Sequence, residues 1–209
     1  MKYVYEAIGT FFLMFTIAMV VIGPGSAPLG FAPIAIGTVL AVMIFAGGHV
    51  SGGHYNPAVS LAVFVRGKIA AKDMLIYWVV QILGAVVAVY LALYLKSPAP
   101  EVPTVAPDMI KALLVEFIFT FALCFTVLNV ATAEGTKGNS FYGWAIGMAV
   151  LTGAYAVGSI TGGAFNPAVA IGITLAGISP LANIWIYLVA QLAAGAVAAL
   201  VFKAAHPGE

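Results

Sequence analysis

The chain has 209 residues, of which 63% are hydrophobic and only 7% charged, where an ordinary soluble domain carries roughly 25% charged residues. So little charge cannot furnish the polar shell of a soluble fold, whereas a lipid bilayer asks for none. A net charge of +1 leaves no basic footprint for nucleic acid, and one cysteine, Cys124, excludes an intramolecular disulfide framework and a cysteine-built metal cluster.

A hydrocarbon core about 30 Å thick calls for about 20 apolar residues per helix. The first such run, residues 3–22, is read as a retained span, not a signal peptide, because Glu6 interrupts it early and no small-residue cleavage site follows. Gly23-Pro24-Gly25 breaks the chain before a second span, 31–48. Residues 56–65 are apolar but number only ten, about 15 Å of helix, half a bilayer. A segment of that length reads as re-entrant. Further spans are expected at 74–95, 110–131, 141–158 and 181–202, with breaks at 98–107 and 134–139 and a second short segment at 166–175. The whole is one all-α membrane domain, 1–209: six transmembrane helices plus two re-entrant half-helices.

Basic residues assign its orientation. With the N-terminus in the cytoplasm, Lys2, Arg66, Lys68, Lys72, Lys137 and Lys203 fall inside, and only Lys96 and Lys111 outside. That bias follows the positive-inside rule and predicts cytoplasmic termini.

Asn56-Pro57-Ala58-Val59 returns 110 residues later as Asn166-Pro167-Ala168-Val169. The same ungapped offset pairs Glu6 with Glu116, Gly37 with Gly147, Gly52-Gly53 with Gly162-Gly163, Tyr77 with Tyr187 and Gln81 with Gln191. Two copies, about 1–96 and 110–206, each hold three spans. That number is odd, so the second copy starts from the opposite face and the repeat is inverted. Proline suits the first turn of a helix and asparagine its N-cap, so Asn56 and Asn166 each open a half-helix. The two N-termini then meet near mid-membrane, where irregular backbone is tolerated only inside protein or along a watery cavity. Gly52, Gly53, Gly162 and Gly163 suit an extended stretch lining such a cavity. Converging positive helix ends oppose cations, hydronium included, while the asparagine amides donate to the oxygen of a passing neutral molecule.

Ser51-Gly52-Gly53-His54-Tyr55-Asn56-Pro57-Ala58-Val59 and Thr161-Gly162-Gly163-Ala164-Phe165-Asn166-Pro167-Ala168-Val169 resemble the paired Asn-Pro-Ala loops of the aquaporins, the major intrinsic proteins. The resemblance covers essentially the whole chain. It implies a tetramer with one pore per subunit, passing water or small neutral solutes without cofactor or metal. It also implies that Glu6 and Glu116, which as intramembrane carboxylates would by default suggest a proton relay or ion site, are buried scaffolding bonded to the loop backbone.

Departures from the family pattern concern selectivity. An arginine usually follows the second Asn-Pro-Ala; here Val169 stands there. The other filter positions fall at Ile36, Ala154 and Gly163, all apolar. The valine resembles that of some plant vacuolar aquaporins and implies broad selectivity for glycerol, urea and ammonia as well as water. Ala170, where the glycerol branch usually has aspartate, favours the water branch, and Tyr187-Leu188 is mixed, so the subfamily stays open. His54 either lines the inner vestibule or is a satisfied buried histidine; His49 reads as structural. Gln81 and Gln191 read as bonds between helices. Rival readings are a secondary transporter on the same inverted plan, which would need coupling-ion ligands at mid-depth, and a channel mainly for ammonia or gas. No nucleophile–base pair or phosphate loop points to an enzyme.

Overall fold

The structure, a computed structural model, describes residues 1–23, 30–97 and 107–209. Its long helices are α1 (Lys2–Val21), α2 (Ala32–Ser51), α4 (Ala71–Leu95), α5 (Met109–Ala131), α6 (Tyr142–Thr161) and α8 (Ile184–Ala205). All six are long and apolar enough to cross a membrane, with mean hydropathy between 1.4 and 2.2 over their most apolar windows. Two nine-residue helices, α3 (Pro57–Val65) and α7 (Pro167–Leu175), are the half-length segments. Of the predicted breaks, Pro24-Gly25 and 98–106 lie outside the described residues. The break at 134–139 contains a single 3-10 turn, Glu134–Thr136, closed by the Asn139 amide donating to the Val130 and Thr136 carbonyls.

Boundaries differ from the sequence-based ones in an informative way. α2 and α6 each run three residues past their predicted ends at 48 and 158. Gly47, Gly48 and Gly158 do not stop a helix whose backbone bonds have no water to turn to. Termination waits for Gly52 and Gly162, which take left-handed φ values of 91° and 87°. The extension places Ser51 and Thr161 at the helix ends, where their hydroxyls are used below.

The repeat is visible in the helices themselves. At the offset of 110 residues, α2 coincides with α6 and α3 with α7, residue for residue. α1 lies along α4, α5 along α8, and α2 crosses α6. Each half-helix also packs on the last span of the other copy, α3 on α8 and α7 on α4, which interlocks the copies. The α2–α6 crossing is made by the mirrored pair Gly37 and Gly147: a Cβ on Gly37 would sit 2.7 Å from the Gly147 carbonyl oxygen. Gly195 gives α8 a similar approach to α3, a Cβ there meeting the Ala58 carbonyl oxygen at 2.5 Å. Small residues thus let backbones touch where no hydrophobic force between helices operates.

Polarity runs opposite to that of a soluble protein. Leu83, Val87, Ile118 and Leu200 are exposed on the outer surface, while Glu6, Gln81, Glu116 and Gln191 are wholly buried. At one end of the molecule Arg66, which caps α3, stacks on Phe202 of α8 at 4.7 Å and pairs with Glu209 at 3.1 Å. Substituting Gly147→Val should force α2 and α6 apart; overpacking of this kind costs about 1–3 kcal/mol. A lowered melting temperature in detergent checks this, and a Gly147→Val protein as stable as wild type would contradict the close crossing.

Candidate functional site

Two buried carboxylates organise the loops before the half-helices. Glu6 Oε1 accepts from Ser51 Oγ at 2.7 Å and from the His54 backbone N–H at 2.9 Å. Its Oε2 accepts from the Tyr55 N–H at 2.7 Å and Gln81 Nε2 at 2.8 Å. Glu116 repeats the pattern with Thr161 Oγ1 (2.7 Å), the Ala164 N–H (3.1 Å), the Phe165 N–H (2.9 Å) and Gln191 Nε2 (2.9 Å). Each carboxylate therefore spends both oxygens on donors from its own copy. Tyr77 and Tyr187 add hydroxyl bonds to the Ser51 and Thr161 carbonyls at 2.6 and 2.7 Å.

These anchors hold a backbone that would not stay there alone. Tyr55 and Phe165 have φ values of 48° and 47°, a left-handed conformation that costs a bulky residue of order 1–3 kcal/mol. With Gly52-Gly53 and Gly162-Gly163 also at positive φ, each loop turns its amides onto its carboxylate. The turn ends at an N-cap. Asn56 Oδ1 accepts from the Ala58 N–H at 2.8 Å, and Asn166 Oδ1 from the Ala168 N–H at 2.9 Å. Their amide nitrogens reach across the copies: Asn56 Nδ2 donates to the Phe165 carbonyl and Asn166 Nδ2 to the Tyr55 carbonyl, both at 2.9 Å. The half-helix N-termini thus lie against each other, and each amide keeps a second N–H that has no partner among the described residues.

A cavity of about 560 Å³ runs along this junction. Both asparagines line it, as do Ile36, Ala154, Gly163 and Val169, with Gly53, His54 and Gly162. Gly52 lines a second cavity of about 620 Å³, which His49 and the 134–139 segment also border. Pro57, Ala58, Pro167 and Ala168 stand apart from the other motif residues. They are buried in the first turns of α3 and α7 and do not line the cavity, because helix geometry turns them toward the neighbouring spans. The Pro57 carbonyl, for instance, accepts from Trp78 Nε1 at 2.9 Å.

Sequence reasoning left most of the apolar cavity lining unnamed, and two residues that it missed stand out. Val127 of α5 lines both cavities. Ser60 of α3 accepts from Gln81 Nε2 at 3.1 Å and lies 3.1 Å from His54 Nδ1. Its signal was present: one polar residue in an apolar half-helix, opposite Ala170 in the other copy. Removing the Glu6 carboxylate strands four buried donors, each worth about 1–3 kcal/mol when unpaired. Glu6→Ala should therefore lose most folded protein in a size-exclusion profile, and Glu6→Gln, which keeps an acceptor, should lose less. A Glu6→Ala protein with wild-type melting would contradict this role.

The geometry agrees with what the chain is similar to. The sequence model for the major intrinsic proteins matches residues 1–202. Nodulin-26 of Glycine max is 35% identical over 209 residues, covering 97% of this chain and 76% of that one. Glycerol uptake facilitator protein-like 6 of Lactiplantibacillus plantarum is 36% identical, covering 90% of each. Among solved structures, the aquaglyceroporin of Plasmodium falciparum superimposes with a TM-score of 0.82 over 99% of this chain and 96% of that one, at 24% identity, which shows the same fold. The chain is an integral, multi-pass membrane protein belonging to the major intrinsic protein family of channels.

Proposed function

We propose that the protein is a passive channel for water and small neutral solutes, glycerol, urea and ammonia among them, and that it opposes ions and protons. The observation that carries this reading is the 560 Å³ cavity, which continues past all four apolar filter positions to both asparagines. Solutes pass the amides of Asn56 and Asn166 in single file, accepting from the free N–H groups through an oxygen or, for ammonia, the nitrogen lone pair. The abutting N-termini of α3 and α7 supply partial positive charge there, which raises the barrier to cations. Pro57, Ala58, Pro167 and Ala168 start the half-helices, and Gly52, Gly53, Gly162 and the left-handed loops present backbone to the path. Glu6 and Glu116 serve as scaffold. Because all their oxygens already accept two bonds each, neither offers a ligand to a coupling ion, which argues against a secondary transporter.

Orientation and assembly follow from the same reading. Lys68 and Lys137 line the 620 Å³ cavity, and Arg66 is tied to the same end through Glu209, whose carboxylate also accepts from the Glu134 N–H. This end is the cytoplasmic one, with both termini, in the plasma membrane, and the working unit is a homotetramer.

At the filter two effects compete. Val169, Ile36 and Ala154 supply no donors, so a rim tight enough to strip water would cost of order 1–3 kcal/mol per unreplaced bond. With Gly163 and Ala154 so small, the rim stays hydrated and the steric gain wins. Liposomes carrying the protein should therefore pass water, and also glycerol, urea and ammonia, above the protein-free rate in one stopped-flow series. Val169→Arg should cut solute flux more than water flux. Fast water with glycerol, urea and ammonia all excluded would contradict the wide filter; ammonia alone, without water, would favour a gas channel.

A further inference from the structure

Two cavities adjoin on the inner side of the asparagine pair, away from the filter. The 560 Å³ cavity includes Ile36, Ala154, Gly163, Val169 and both asparagines without interruption, and ends beside His54. The 620 Å³ cavity begins there. Among the described residues, the two linings have only His54 and Val127 in common. We infer that His54 and Val127 form the size- and hydrogen-bond-selecting neck of the channel, on the inner side of the asparagine pair, and that the apolar outer filter does not select. This rests on the channel reading above and says where along the path solutes are sorted.

The histidine is held as a fixed wall. Ser60 Oγ has one proton, which it donates to the Asn56 carbonyl at 3.1 Å, and it accepts from Gln81 Nε2 at 3.1 Å. The remaining bond, to His54 Nδ1 at 3.1 Å, then has the imidazole as donor. Nε2 is left as a bare acceptor, without a partner among the described residues. It stands over Gly52, where a Cβ would meet it at 3.0 Å, and Gly52 borders the inner cavity. The ring also packs against Tyr77 in a T-shaped contact, with centroids 5.1 Å apart. A solute that accepted an N–H at the asparagines thus meets a site of opposite sense and must donate to pass.

The inverted repeat supplies an internal control. At the offset of 110 residues, His54 corresponds to Ala164 and Val127 to Ile17, which both line the outer cavity without closing it. Ser60 corresponds to Ala170, although the glutamine partners Gln81 and Gln191 are kept in both copies. The hydroxyl that fixes the imidazole is present only in the copy that carries the imidazole. Two copies of one framework therefore differ in the residues that stand at the junction of the two cavities.

The test uses the full chain in liposomes, with water, urea and glycerol fluxes measured for wild type, His54→Ala and Val127→Ala. His54→Ala removes both the bulk and the acceptor and should raise the glycerol-to-water flux ratio by about tenfold, the factor that a single hydrogen bond's worth of barrier carries. Val127→Ala trims the other residue shared by the two linings and should raise the same ratio by a smaller factor, which keeps the test decisive should His54→Ala fold poorly. A ratio unchanged in whichever variants fold, with wild type conducting water, overturns the neck and leaves the channel reading standing. Wild-type liposomes no more permeable than protein-free ones overturn both.

Discussion

The fold turns on one interaction made twice: a buried carboxylate gathering two backbone amides, a hydroxyl and a glutamine amide at the base of a re-entrant loop. A loop that stops halfway through a bilayer exposes peptide groups that lipid cannot satisfy. Glu6 and Glu116 satisfy those groups from within, and in doing so hold Tyr55 and Phe165 in a conformation that bulky side chains avoid. That conformation aims the next residue, an asparagine, at the start of a half-helix and at the opposite loop. Without the carboxylate the left-handed turn loses the acceptor for its amides, and without the turn the half-helix has no defined starting point.

Interlocking follows from the same geometry. Each asparagine spends one N–H on the carbonyl of the opposite loop, so neither copy's half-helix is placed without the other. α3 leans on α8 and α7 on α4, and the glycines at the contacts fix how closely these elements approach. The result is a rigid waist, in which the free N–H groups stand at positions set by both copies at once. The two copies differ around that waist in the side chains that they do not share, and His54, Ser60 and Val127 are among them.

Much of this was legible in the sequence for a physical reason. An ungapped repeat preserves register, so pairing Glu6 with Glu116 and Asn56 with Asn166 assigns four polar residues to equivalent environments from sequence alone. Span lengths read well because the bilayer imposes them. Helix ends read less well, since Gly47 and Gly158 look like breakers in water and are not breakers in lipid. Apolar cavity walls were legible only in part: the resemblance supplied Ile36, Ala154, Gly163 and Val169, whereas Val127 is one apolar residue among many in α5. Whether it faces lipid, core or cavity depends on helix rotation, which an all-round hydrophobic span does not encode. His54 was open for a related reason, because its role depends on Ser60, six residues away on the other side of the half-helix start.

The account's central claim is a continuous hydrated path through a fixed waist, and the temperature dependence of water permeability tests it most directly. In liposomes, the permeability above the protein-free background should vary with temperature as shallowly as water's own diffusion, because water crossing the waist exchanges one hydrogen bond for another. A steep dependence, like that of water dissolving into the bare bilayer, would contradict the account.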